Sequence, residues 1–375
     1  MRKKLWQLHS WIGLFCGLAL VIIGLTGSVL VFHQEIANSV YPEETLNSST
    51  APNAQRLPID RLCETVESKF PEFWIRGWLF NYDSPQRDKA YVMRHGEEEW
   101  YLLYVDPYTA ATSHAPIKTD QTIYGWFVDL HYTFFADHIG MAIAGIFALG
   151  FLFLSVSGFY LHKPFFKALF RLRIRASSRI FFSDLHKAIG IVTIPMNFIF
   201  GFTGAYWNIT HLVHEIIEHS EEDHDHLESE YPAYRERIAE LPDLADTTLP
   251  GYSLNYIYFP REEEPMFYLY GQHPGAGVFN SPYGSHIWVD AISGEVTYMQ
   301  DLRKAHTWTK IADTFEPLHF GNFGGLTTKI LWCIAGFSPA ALCITGTIMY
   351  FKRGRRKARK HKTHFQTTPS KCASS

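Results

Sequence analysis

Four stretches of the chain, residues 10–33, 138–161, 188–210 and 326–351, run for about 18 positions or more with almost no charge, long enough for a helix to cross a hydrocarbon core of about 30 Å. Lipid offers no hydrogen-bond partners, so a backbone crossing it must satisfy its own N–H and C=O groups, and a helix does so within one segment. The 375 residues are 47% hydrophobic and 16% aromatic, a composition that two or three soluble domains would also show. What decides the class is the gathering of apolar residues into four runs. The expected fold is an α-helical membrane protein with four transmembrane helices, two long polar segments and one short basic connection.

The net charge of -3 hides an asymmetry. Arg2, Lys3 and Lys4 precede the first run, six Lys and Arg residues between Lys163 and Arg179 fill the second connection, and eight more lie from Lys352 to Lys362. Basic flanks stay on the cytoplasmic side, which places both termini there and the two long segments outside. The expected division is a cytoplasmic start at 1–9, a span at 10–33, an external domain at 34–130 and a span at 131–161. A cytoplasmic loop at 162–185, a span at 186–211, a second external domain at 212–319, a span at 320–351 and a tail at 352–375 complete it.

The first run begins with basic residues, as a secretory signal does. Its apolar stretch is longer than a signal core and no small-residue cleavage site follows, so it reads as a retained anchor. Cys16, Cys333 and Cys343 lie within spans and Cys372 in the tail, leaving Cys63 alone outside. That excludes an intramolecular disulfide framework there, and no C-x-x-C-H site for covalent haem occurs.

The chain repeats itself. His9 is followed by Gly13, Gly24 and Gly27, and His186 by Gly190, Gly201 and Gly204 at the same offsets, with Thr26 and Thr203 before the last glycine of each set. His131 stands as far ahead of Ser157-Gly158 as His319 does ahead of Thr345-Gly346. The chain therefore reads as two parallel copies of one unit: span, external segment, returning span. Each external segment shows a short amphipathic helix, at 60–70 and at 234–241, followed by alternating strands. These fall near 74–82, 90–94 and 100–105 in the first copy and near 254–259, 266–270, 286–289 and 295–299 in the second. Turns at Asp106-Pro107 and Asp290–Gly294 fit this reading.

Taken together, LHSWIGL with GLTG, DLH before the third span, LH and PLH before the second and fourth, and VDAISGEV resemble the PepSY-associated transmembrane proteins of bacterial inner membranes, which include FoxB-type ferrisiderophore reductases. The resemblance spans nearly the whole chain. It implies two α+β PepSY-like extracytoplasmic domains and a bacterial inner-membrane location.

At 1.5 Å per residue, the helix from His9 to Thr26 spans about 26 Å, so His9 and His186 belong at the cytoplasmic margin and His131 and His319 at the external one. Two imidazoles facing each other from different helices hold haem iron from both sides. With the family resemblance, the pairs His9/His186 and His131/His319 are expected to bind two non-covalent b-type haems. His9, Gly13, Gly17, Leu20, Gly24 and Gly27 share one helix face, as do His186, Gly190, Ile194, Asn197, Gly201 and Gly204. On this reading Gly13, Gly27, Gly190 and Gly204, with Gly158 and Gly346, clear space for porphyrin, although small residues in membrane helices also serve plain helix packing. His33 and His211 are the reserve external pair, and His138, His162 and His214 are further substitutes.

Two haems at different depths make a transmembrane electron path. The FoxB resemblance implies the acceptor, a periplasmic ferric siderophore, hydroxamate chelates among the candidates, whose iron is released as Fe(II). Trp74, Trp78, Trp100, Trp126 and Trp288 are candidates for its docking surface, or for core and interfacial positions. Without a G-x-G-x-x-G or Walker motif the electron donor is external, a cytoplasmic flavoprotein or a quinol. Lipid is the other expected partner, and nucleic acid is not. The run His214–Glu230, with four histidines and eight carboxylates, reads as a solvated extension of span three or as a trap for released iron. Pro195 is expected to kink span three, with no counterpart in span one. A permease for iron or its chelate, and a non-catalytic envelope-binding protein, are the competing functions.

Overall fold

A computed structural model describes residues 1–47, 55–82, 85–162, 172–221, 235–261 and 265–366. The chain divides into two compact units. The helical unit comprises Met1–Val29, Leu130–Ile217 and Ile330–Ser375, and the sheet unit Leu30–Asp129 and Glu218–Lys329.

Among the described residues of the helical unit, three helices are long and apolar enough to cross a membrane: Asp137–Leu161, Ser178–His214 and Gly325–Arg353. Arg2–Phe15 and Gly17–Leu30 form a fourth candidate only as a pair, because the chain bends by 63° between them. This reverses the sequence expectation, since helix Ser178–Glu221 runs unbroken through Pro195. Close approaches cluster at the break in the first pair: a Cβ on Gly17 would sit 2.6 Å from Cys343 Sγ, and Cys16 Sγ lies 2.7 Å from where a Gly150 Cβ would be. Elements therefore cross at the bend closer than side chains allow. Gly24 and Gly201 act likewise, with backbone atoms of Gly336 and Leu152 at 2.6 and 2.8 Å from their missing Cβ positions.

The external histidines do not open the spans as the sequence reading has it. His131 lies in helix Ile123–Tyr132, cut off from Asp137–Leu161 by left-handed backbone at Phe134, Phe135 and Asp137. His319 lies in helix Phe315–Phe320, which Gly321 terminates with φ 71°. His33 also falls outside span one, at the start of helix His33–Val40.

The sheet unit holds one eight-stranded antiparallel sheet rather than two separate domains. Its strands are β1 (Phe73–Leu79), β2 (Asp88–Arg94), β3 (Trp100–Val105), β4 (Ile117–Lys118), β5 (Ser253–Tyr258), β6 (Met266–Gln272), β7 (Ser285–Asp290) and β8 (Val296–Gln300), in the order β4-β3-β2-β1-β5-β6-β7-β8. The two repeats meet at β1 and β5, paired with Gly77 opposite Tyr258, Trp78 opposite Ile257 and Leu79 opposite Tyr256. Each strand thereby satisfies the open edge of the other. Helix Ile59–Lys69 packs on β1 and helix Leu241–Thr248 on β5. The helix expected at 234–241 is present as the short helix Arg235–Ile238, and helix Leu241–Thr248 follows it with Pro242 in its first turn. The run 214–230 lies largely outside the described residues; the helix that enters it continues to Glu221.

Strand alternation gives the sheet two different faces. One buries Ile75, Trp78, Val92, Leu103, Ile257, Leu269 and Ile287 against Leu62, Val66 and Leu241 of the helices. Trp78, a candidate docking residue, is thus fully buried in the core. The other face is aromatic, with neighbouring ring centroids at 6.1 Å for Trp100–Tyr258, 6.2 Å for Tyr258–Tyr268, 5.4 Å for Tyr268–Trp288 and 4.6 Å for Trp288–Tyr298.

Asp88 ties the core face together. Its buried carboxylate accepts from Trp78 Nε1 at 3.0 Å and from the Asn81 backbone N–H at 2.9 Å, and pairs with Arg56. Replacing Asp88 with Ala leaves an indole N–H and a guanidinium unmatched, which costs about 3 kcal/mol. The thermal midpoint of the full-length protein in detergent, followed by near-ultraviolet circular dichroism, should fall by about 6–12 °C. Glu98→Ala, at an exposed position, should change stability by less than about 0.5 kcal/mol.

Candidate functional site

Three of the four sequence-singled histidines lie in the helical unit, and each is held the same way. His9 Nδ1 meets Ser157 Oγ at 2.7 Å, His186 Nδ1 meets Thr345 Oγ1 at 2.8 Å, and His131 Nδ1 meets Thr26 Oγ1 at 2.9 Å. A hydroxyl carries a single proton. Thr26 donates its proton to Ile22 O at 2.8 Å, Thr345 to Ala341 O at 2.8 Å and Ser157 to Leu154 O at 3.3 Å. The hydroxyl oxygen is then the acceptor, so Nδ1 carries the imidazole hydrogen and Nε2 keeps its lone pair.

The residue after each hydroxyl is glycine, and the ring lies over it. His9 Cε1 is 3.7 Å from the position a Cβ on Gly158 would take, His186 Cε1 is 3.5 Å from that of Gly346, and His131 Cε1 is 2.9 Å from that of Gly27. The Ser/Thr-Gly pair therefore receives a histidine from another helix, the hydroxyl gripping the ring and the glycine making room. Sequence reading finds the pair and its spacing, and assigns the glycine a space-clearing role. It misses the hydroxyl, whose only sequence signal is its invariable place before that glycine in all four copies.

His9 and His186 line one cavity of about 390 Å³. Gly13, Gly158, Gly190 and Gly346 line it too. The would-be Cβ of Gly13 lies 3.6 Å from Leu154 and that of Gly190 lies 3.7 Å from Leu342, ordinary contacts that leave the helix surfaces flat beside the imidazoles. These glycines thus differ from Gly17, Gly24 and Gly201, which let helices touch. Arg179, Lys187 and Arg353 stand among the lining residues, and Arg353 lies over the Trp6 ring at 4.2 Å.

Such a cavity suits an iron porphyrin. Imidazoles from two helices face one apolar space with Nδ1 fixed and Nε2 able to ligate, small residues admit a flat ring, and basic side chains can meet its carboxylates.

The remaining candidates are scattered. Gly204 is half-buried in helix Ser178–Glu221. His319, in the sheet unit, is half-buried with its ring edge-on to Phe320 at 5.8 Å. His33 is held through Nδ1 at Leu30 O, 2.8 Å away, and packs on Tyr124 at 4.6 Å; burial is the main cause holding its pKa below the usual value. His211 bonds the Tyr132 hydroxyl, and His138 is exposed. Among the tryptophans, Trp74 packs on His95 at 4.3 Å and Trp126 is exposed.

Comparison with known proteins agrees with the resemblance carried by the sequence motifs. No curated protein matches the chain. The family model described as PepSY-associated TM region matches residues 6–353, nearly the entire length. This protein, membrane-associated through three or four apolar helices and carrying an antiparallel sheet unit, belongs to the PepSY-associated TM region family.

Proposed function

We propose that the chain is a di-haem reductase of the bacterial inner membrane, of the FoxB type, passing electrons outward to a periplasmic ferric siderophore and releasing Fe(II) for uptake. The observation that carries this reading is the shared cavity of His9 and His186, each ring locked with Nε2 as its free ligating nitrogen. His9 and His186 hold one b-type haem; the sequence repeat assigns His131 and His319 to a second. The Arg179, Lys187 and Arg353 side chains offer counter-charges for carboxylates and match the cytoplasmic margin expected from the basic flanks.

Bound haem supplies one-electron chemistry through its ferric and ferrous states, and the protein supplies position and environment. Ser157 and Thr345 hold the imidazole planes and prevent Nε2 from being the protonated nitrogen. Leu20, Leu154 and Ile194 wall the cavity with hydrocarbon and keep water from the ligands. The flattened faces at Gly158 and Gly346 let the rings lie against the backbone. Release of iron follows from its own chemistry, because hard oxygen donors hold Fe(II) less firmly than Fe(III). The electron donor is a cytoplasmic flavoprotein or a quinol.

An optical spectrum with haem quantitation tests the assignment. Purified protein should show Soret and α bands that shift back to the oxidised form on addition of a ferric chelate. His9→Ala and His186→Ala should each lose the same haem, and His131→Ala and His319→Ala the other. Two haems retained in all four variants, or a colourless protein from haem-replete cells, would overturn it.

The hydroxyl grip makes a separate prediction. Thr345→Val keeps the shape of the side chain and removes the oxygen, so haem affinity at the His9/His186 site should fall by about 10–100-fold, read by transfer to apomyoglobin. Thr345→Ser should restore it, which a purely packing role for the residue would not require.

A further inference from the structure

The connection between β6 and β7 contains a tight turn whose two central residues are apolar and exposed. Val278 and Phe279 stand between Gly277 and Asn280 and are 71% and 49% exposed. Such positions ordinarily fall to Gly, Asn, Asp or Ser. The turn is firmly held. The Gly277 N–H donates to Asn280 Oδ1 at 2.6 Å and the Asn280 N–H to Gly277 O at 2.9 Å, while Asn280 Nδ2 and the Ser281 N–H both donate to Asp313 Oδ2, at 2.8 and 3.0 Å. A Cβ on Gly277 would lie 2.8 Å from Asn280 Oδ1, so this closure depends on glycine. The display of two apolar side chains is therefore built into the loop.

One exposed apolar side chain at a turn carries no meaning by itself, since folded surfaces bear many. Ile292, 64% exposed in the turn between β7 and β8, is an example. What sets Val278 and Phe279 apart is their neighbour. The Phe279 ring lies 5.0 Å from that of Phe323, and Phe323 comes two residues before Gly325, where the membrane-crossing candidate Gly325–Arg353 begins. Leu326, in the first turn of that helix, is 63% exposed. A helix that enters lipid at Gly325 puts Phe323 among the headgroups, and a ring packed on Phe323 shares its depth. Ile292 stands beyond the other end of β7, a strand of 6 residues that is about 20 Å long.

We propose that the Val278-Phe279 turn inserts its side chains into the bilayer surface at which helix Gly325–Arg353 starts, so that the sheet unit grips lipid at a point beyond the chain segments that run into the spans. The occupant is lipid rather than a second copy of the chain, because contact with Phe323 fixes the turn beside the start of a span, where headgroups and acyl chains are the neighbours. Irregular backbone facing lipid is not tolerated in the hydrocarbon, so the turn itself stays among the headgroups and only the Val278 and Phe279 side chains reach the acyl boundary. The N–H groups of Gly277, Asn280 and Ser281, already bonded within the protein, suit that water-poor layer. The proposal goes beyond the reductase reading and needs neither haem nor a substrate.

Nitroxide accessibility tests the docking. Full-length protein in nanodiscs of phosphatidylethanolamine and phosphatidylglycerol carries a spin label at Val278→Cys, Phe279→Cys or Ile292→Cys, and the signal of the unsubstituted chain, which has five cysteines of its own, is subtracted. Oxygen concentrates in lipid and a nickel chelate in water. The oxygen-to-nickel accessibility ratio should be higher by about threefold or more at the two turn positions than at Ile292, whose side chain is similarly exposed. A near-ultraviolet circular dichroism spectrum matching that of the unsubstituted chain certifies each labelled fold, and either turn position alone suffices for the comparison. Equal ratios at the turn and at Ile292 would overturn the proposal, whichever reagent dominates. So would exclusion of both reagents from the turn, the signature of cover by protein such as a second copy. Absence of haem bands from the same samples would sink the reductase reading and leave the docked turn standing.

Discussion

A hydroxyl whose proton is already given to a helix carbonyl can only accept, and that limitation organises the helical unit. It fixes which nitrogen of His9, His131 and His186 carries hydrogen, and with it which nitrogen can bind a metal. The glycine that follows is the steric half of the same device, because a ring held at hydrogen-bonding distance from one residue must pass over the next. Histidine, hydroxyl and glycine make sense only together, and they come from different helices. The close crossings at Gly17, Gly24 and Gly201 bring those helices near enough for the grip to form.

The sheet unit solves a different problem with the same duplication. Half of the sheet would expose β1 as an open edge, and the other half would expose β5. Pairing the two edges closes both and makes one continuous surface from segments far apart in sequence. The antiparallel join relates the halves about the β1–β5 pair, with helices Ile59–Lys69 and Leu241–Thr248 on the buried face. Only a joined sheet has an aromatic face in which rings from β2, β3 and β5 lie side by side.

Local periodicity carried most of the element positions. The alternation in Ala90–Arg94 and Met266–Tyr270 reads directly as strand, and the Asp290–Gly294 turn closes as its composition indicates, with Gly294 at φ 77° and Asp290 Oδ1 accepting from the Ser293 N–H at 2.6 Å. Offsets within the repeat likewise brought His9 and His186 to one cavity. Pairings between distant positions were not legible. Nothing near Ser157 announces that it receives His9, and nothing near Tyr258 announces Gly77. Bends were misjudged because proline is weighed by its missing N–H, whereas the bend falls at Gly17, whose close neighbour Cys343 lies more than three hundred residues away. The short helix carrying His131 escaped notice because apolar residues continue through the left-handed positions Phe134 and Phe135, whereas the Gly-Asn-Phe-Gly-Gly run after His319 is a turn signal that the hydropathy reading passed over.

The choice of a neutral hydroxyl to hold each imidazole has a consequence for redox chemistry. A carboxylate in that place would make the imidazole a stronger donor, but it would bring a full charge into low-dielectric surroundings where ions are costly. Serine and threonine avoid that cost by drawing their own hydrogen-bond partner from the helix they sit on. They also leave the imidazole closer to its intrinsic donor strength, which stabilises the ferric state of a bound iron less than a carboxylate-backed imidazole does. Within a membrane, the inexpensive way to fix a histidine is therefore also one that keeps a haem easier to reduce. For the haem site proposed here, economy of burial and ease of reduction would select the same side chain.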